Sequence, residues 1–170
     1  MIAAFIFSLS GYIIHIGLGR YFGPEEYGII GVIISILTII NLIFTSGITP
    51  GVSKYLSENK KWSKNLITKS IYIQLILSIF ITIILIILAP LISKYLNDMT
   101  FTYYIRLAAL TIPFYAFFAL YHRGFLNGYR MFKEQAITRI SFSITKVTVV
   151  FLFVFLCFGI ESVIFGYLSA

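Results

Sequence analysis

Long apolar runs separated by short polar stretches organise this chain. The first run extends over about Ile2 to Phe22, and the second from Tyr27 to about Ser46. Further runs cover about Leu66 to Ala89, Thr102 to Tyr121 and Ala136 to Phe158, and another opens near Ser162 and reaches Ala170. Runs of about 20 apolar residues match the hydrocarbon thickness of a bilayer crossed by a helix. They are too long and too continuous for the alternating strands of a membrane barrel. The expectation is an all-α fold: one polytopic transmembrane helix bundle over residues 1–170. Its spans would be 2–22, 27–46, 66–89, 102–121 and 136–158, five full spans, with a partial sixth at 162–170.

The breaks between runs carry their own chemistry. In Gly23-Pro24-Glu25-Glu26, proline suits the first turn of a new helix, and the glutamates favour its positive N-terminal end. Gly47, Pro50 and Gly51 loosen the end of the second run, and Ser57 to Lys64 reads as a loop. Pro90 is expected to stop the third run, 91–101 to be a mixed connector, and Pro113 to kink the fourth. His122 to Gln135 is a polar, basic connector.

Charge adds an orientation. With the N-terminus inside, the inner segments hold Lys54, Lys60, Lys61, Lys64, Lys69, Arg123, Arg130, Lys133 and Arg139. The outer ends hold Arg20, Lys94 and Arg106, together with Glu25, Glu26, Asp98 and Glu161. Excess Lys and Arg marks the cytoplasmic side, so the chain is expected in the cell membrane, multi-pass, with a cytoplasmic N-terminus. Composition agrees. Charged residues make up 11% and mean hydropathy is +0.97, too few charges to wet a soluble globule of 170 residues. The net charge of +7 needs no nucleic acid partner, because membrane topology already accounts for the basic loops. Cys157, the single cysteine, lies in an apolar run and reads as a small buried hydrophobe.

Nothing in the sequence reads as an enzyme or calls for a cofactor. The acidic residues lie in loops or at helix ends, whereas a site for a hard divalent cation needs clustered oxygen ligands. His15 and His122 have no Cys or acidic cluster beside them, which argues against zinc. Polar residues inside the runs are more informative. Lys146 stands near the middle of the fifth run, a costly place for a charge unless it faces protein or a hydrated cavity. It shares a helical face with Arg139 and Ser143. Ser70, Gln74, Ser78 and Thr82 recur every four residues along the third run. Thr38, Asn41 and Thr45 make a similar stripe in the second, and Ser8, His15 and Gly19 line one side of the first. Such stripes serve either helix packing or a shared polar cavity. Arg20 and Arg106 are interfacial anchors or cations at a cavity mouth. Arg20, Lys146, Arg139, His15, Asn41 and Gln74 are therefore the candidate substrate-binding residues. With no intramembrane acid, the expected substrate is anionic, such as a phosphate-bearing lipid.

Gly19-Arg20-Tyr21-Phe22-Gly23-Pro24-Glu25-Glu26-Tyr27-Gly28 resembles the first outer turn of polysaccharide and oligosaccharide-lipid flippases, with Phe22 where leucine is usual. These belong to the multidrug/oligosaccharidyl-lipid/polysaccharide exporter superfamily. Thr45-Ser46-Gly47-Ile48, Lys54-Tyr55-Leu56-Ser57-Glu58 and Gly124-Phe125-Leu126-Asn127-Gly128-Tyr129-Arg130-Met131-Phe132-Lys133 extend the likeness, the last resembling the second inner loop. The resemblance implies a transporter of lipid-linked sugars working by alternating access between two bundles. This chain resembles one lobe of such an exporter. A second bundle, from further sequence or a second polypeptide, is then implied as its partner. Of the candidates, Arg20 matches the family's arginine before the turn, and Lys146 is placed by position alone. Two alternatives are a cation-coupled drug exporter of the same superfamily, which needs an intramembrane carboxylate, and a non-transporting membrane scaffold.

Overall fold

The computed structural model describes residues 2–58, 63–156 and 159–169, and among them there are helices and turns but no strand. These residues form eight α-helices: α1 (Ile2–Ser46), α2 (Ile48–Glu58), α3 (Ser63–Tyr95), α4 (Thr100–Ala109), α5 (Ile112–Ala119), α6 (Leu126–Gly128), α7 (Phe132–Phe155) and α8 (Glu161–Ser169). A π-helical segment, Leu120–Phe125, joins α5 to α6. Four stretches are long and apolar enough to cross a membrane: Ala3–Glu58, Lys64–Tyr95, Thr100–Gly128 and Phe132–Phe155.

The first stretch contains two predicted spans, and one residue separates them. Gly23 has φ 73° and ψ 178°, a region essentially closed to residues with a Cβ. Pro24 comes next, its fixed φ ready for a new helix. His15 Nδ1 lies 3.0 Å from the Tyr27 hydroxyl. Twelve residues of straight helix would separate them by about 18 Å. The chain therefore folds back at Gly23. Gly47 interrupts the helix far less: its N–H still donates to the Ile43 carbonyl, and α2 continues at once. Asn59 to Trp62, half of the expected loop, lie outside the described residues, as do Cys157 and Phe158, while Ser57, Glu58, Ser63 and Lys64 belong to helices.

Boundaries differ from the sequence reading at Pro90 and at the expected connector His122 to Gln135, most of which is helical. Pro90 does not stop α3, which continues to Tyr95. Proline withdraws one donor, whereas ending the helix there would strip the partners from a whole turn of carbonyls; in an apolar medium the smaller loss prevails. The connector after it is accordingly short. Asn97 adopts φ 56°, with Asp98 N–H donating to Ser93 C=O and Asn97 N–H to Lys94 C=O, a Schellman closure. Asp98 Oδ1 then accepts from the Thr100 hydroxyl (2.7 Å) and amide (2.9 Å), and those bonds hold its carboxyl below the usual range. The fourth run breaks at Leu110–Thr111, with Pro113 at the start of α5, where the kink was expected.

The chain packs as two compact units, residues 1–35 with 136–170 and residues 36–135. In the first unit, Arg139 pairs with Phe7 and the Tyr21 hydroxyl donates to Val154 C=O, so α7 runs parallel to the opening half of α1. Lys146 meets Tyr167 and Phe153 meets Phe165, so α8 runs antiparallel to α7. In the second unit, Gln74 reaches Ala116 and Thr82 reaches Ala109, which makes α3 antiparallel to α4 and α5. Asn127 donates to Ser53, and Gly128 abuts Leu56, so α6 runs parallel to α2. Within each unit, odd spans parallel to odd, and even to even, is what successive crossings of one bilayer require.

The side-chain distribution is inverted relative to a soluble protein. The buried face of α3 carries Ser70, Gln74, Ser78, Thr82, Leu85, Ala89 and Ser93, while Ile73, Ile76, Phe80, Ile83, Ile87 and Leu91 are exposed. A helix that hides hydroxyls and presents isoleucine is at ease only in lipid.

Candidate functional site

Each unit supplies a polar feature. In the first, the face of α7 predicted from spacing is real. Ser143, fully buried, donates its hydroxyl to the Arg139 carbonyl at 2.8 Å. The Arg139 guanidinium carbon lies 4.6 Å from the Phe7 ring centroid. One helical step beyond Ser143, the Lys146 ammonium sits 3.6 Å from the centroid of the Tyr167 ring. Both cations thus rest on aromatic faces, an attraction of about 2 kcal/mol where water is excluded. A separate cleft of about 200 Å³ between α1 and α7, with neither cation in its lining, is lined by Ser10, Ser143 and Thr148 among isoleucines, leucine and valine.

The other sequence candidates are divided between the two units. His15 is exposed and bonded to Tyr27, and their rings meet edge to face. Arg20 is exposed on the last turn before Gly23. Asn41 and Gln74 belong to the second unit. Asn41 is half-buried, and its carbonyl accepts from the Thr45 hydroxyl. Gln74 is wholly buried, and its Nε2 donates to Ala116 C=O at 3.0 Å. Its Oε1 is buried with no hydrogen-bond partner among the described residues. The stripe on α3 therefore works as packing: Ser70, Ser78 and Thr82 turn their hydroxyls back onto their own helix.

The second unit contains a polar pocket of about 600 Å³ that the sequence reading did not single out. It is lined by Lys54, Arg123 and Arg130, with Thr45, Thr49, Ser53, Ser57, Asn127 and Gln135. No acidic side chain is in its lining. Glycine spacing creates it. A Cβ on Gly128 would stand 2.8 Å from Leu56 Cβ and 3.1 Å from the Ser53 carbonyl, and one on Gly124 would stand 3.2 Å from Leu120 Cδ1 and 3.6 Å from Val52. Two glycines four residues apart let backbones approach closely. The π segment re-aims the helix so that both glycines face α2, since its wider turn shifts the register of the residues after it. Asn127 is thereby brought 3.2 Å from Ser53 Oγ. Gln135, in the lining, and His122 exchange two side chain-to-carbonyl contacts, 3.0 and 3.1 Å. Arg130 ends α6 with φ 58°, closed by Met131 N–H to Leu126 C=O and Arg130 N–H to Asn127 C=O. The signals were present separately, as a Gly-x-x-x-Gly and as inner-loop charge; only packing joins them.

Among the described residues no three His, Cys, Asp or Glu side chains gather as metal ligands would. The family model described as Polysaccharide biosynthesis protein matches residues 1–170. No curated protein and no solved structure gives a significant match.

Proposed function

The chain belongs to the polysaccharide biosynthesis protein family, and from that premise we propose that it is part of a flippase carrying anionic lipid-linked sugar precursors across the cell membrane. Members of this family are transporters or flippases rather than enzymes, which supports transport as the activity. The observation that carries the choice of substrate is the seating of Lys146. Its ammonium lies 3.6 Å from the centroid of the Tyr167 ring, within an apolar helix. An ammonium held by an aromatic face keeps N–H donors for a passing phosphate. The acidic residues of the sequence lie in loops or at helix ends, and this disfavours the cation-coupled exporter. In this reading the N-terminus is cytoplasmic, and a second bundle completes the alternating-access cycle.

The test is transport in reconstituted vesicles. A fluorescent polyprenyl-pyrophosphate oligosaccharide is placed in one leaflet and its arrival in the other is tracked, with and without a second bundle. Lys146→Ala should slow transfer at least tenfold. Transfer at the wild-type rate removes Lys146 from the path, and no transfer by the wild type in either setting overturns the flippase reading. Orientation is checked with a cysteine at position 59 in a Cys157→Ser background, which should react with an impermeant reagent only from the cytoplasmic side.

A further inference from the structure

We propose that the pocket formed by α2, the π segment and α6 is a binding site for a phosphate or pyrophosphate group, with Lys54, Arg123 and Arg130 as its cationic ligands and Ser53, Ser57 and Asn127 as neutral ones. Among the described residues the lining collects three full positive charges and no negative one. Like charges around one cavity repel, and an anion in the middle turns that repulsion into attraction. Arginine presents a planar fork suited to phosphate oxygens, and serine and asparagine supply further donors.

Loop charge alone would explain basic residues on this side of the protein; it does not explain their convergence. Lys54 lies on α2, Arg123 in the π segment and Arg130 beyond α6, and they share a cavity because Gly124 and Gly128 permit the helices to touch. Arg130 also occupies a left-handed conformation, where glycine or asparagine is the usual choice. A guanidinium kept at a position that favours glycine points to work done by the side chain. The pocket is large enough for a pyrophosphate with some of its water. An apolar groove of about 540 Å³, lined by Val52, Tyr55, Leu66 and Ile73, is built on α2 as well. A lipid-borne headgroup would therefore find both polar and apolar surface on this helix. That the headgroup arrives on a lipid rests on the flippase reading; the anion chemistry does not.

The protein, reconstituted in phosphatidylcholine vesicles, is titrated with inorganic pyrophosphate and, separately, with a polyprenyl pyrophosphate carried in the vesicles; polyprenol serves as the uncharged control. The pyrophosphate forms should bind and polyprenol should not. Tighter binding of the lipid form assigns the headgroup as the source, and equal binding assigns a free anion to the same site. The triple variant Lys54→Gln, Arg123→Gln, Arg130→Gln should weaken binding at least tenfold. Lys64→Gln, Lys94→Gln, Lys133→Gln, which removes as many exposed charges from outside the pocket lining, should change it less than about twofold. Arg130→Gly gives a sharper sign: it should raise the melting temperature while weakening binding, a combination that a purely structural arginine would not produce. Wild-type affinity in the pocket triple variant, or an equal loss in the triple variant outside the lining, overturns the assignment. Binding that depends on the pocket in a protein that fails to transport would count against the flippase and leave the site standing.

Discussion

Gly128 stands so close to Leu56 that any side chain would collide: a Cβ there would lie 2.8 Å from Leu56 Cβ, with the Ser53 backbone behind it. The near atoms belong to the stem of a residue and to main chain, so neither can swing aside. Gly128→Ala should cost about 1–3 kcal/mol by overpacking. Thermal unfolding in detergent micelles measures it. Gly31→Ala is the matched control, because nothing lies within 4 Å of a Cβ there, and it should be neutral or slightly stabilising in a helix.

Gly23 makes a different demand. Space around it is open, yet its φ of 73° and ψ of 178° belong to glycine. Gly23→Ala should therefore destabilise by about 1–3 kcal/mol through backbone strain alone. Gly28→Ala, five residues on and equally open, should not. Equal melting temperatures for the two variants would show that the reversal tolerates an ordinary residue.

Lys146 and Tyr167 should be coupled. Tyr167→Leu leaves an ammonium among apolar neighbours without its aromatic face, and should destabilise more than Lys146→Met, which removes the charge itself. The double variant should recover part of the loss. A double-mutant cycle on unfolding free energy should give a coupling of about 1–2 kcal/mol; additive effects would mean that the contact contributes nothing.

Asp98 supplies a pH effect with a defined sign. The Thr100 hydroxyl and then the Thr100 amide lower its pKa from the ordinary value of 3.8. A depressed carboxyl favours the folded turn fully above the unfolded pKa, and that contribution fades as pH falls through the folded value. The α3–α4 turn should thus loosen only in acid, below the usual carboxylate range. Thr100→Ala removes the larger cause, so NMR titration should show the Asp98 midpoint moving up toward its ordinary value. An unmoved midpoint would mean that the hydroxyl bond does not form.

Much of this architecture could be read along the chain, and the reasons are local. The turn at Gly23-Pro24 announces itself because backbone freedom and a fixed φ are properties of single residues, and the break at Pro113 is foreseen on the same ground. The helix past Pro90 was not legible, since it depends on what the surrounding medium makes of an unpaired carbonyl. Gln74 illustrates a limit of spacing: a four-residue stripe shows that polar groups share a face, but only the contact with Ala116 shows that the face packs. The basic pocket was hidden for the opposite reason. Its three cations lie on segments up to 76 residues apart, brought together by two glycines and one π turn.

The two units differ in how the sequence encloses them. Residues 36–135 form one unbroken stretch, while the other unit joins 1–35 to 136–170 and depends on contacts such as Tyr21 to Val154, 133 residues apart. During synthesis the inner stretch can close on itself as soon as its own end emerges. The contacts between the opening hairpin and α7 can form only once α7 is made. Assembly of this stretch therefore has an order written into the connectivity: residues 36–135 can be finished first, and 1–35 joins 136–170 after them.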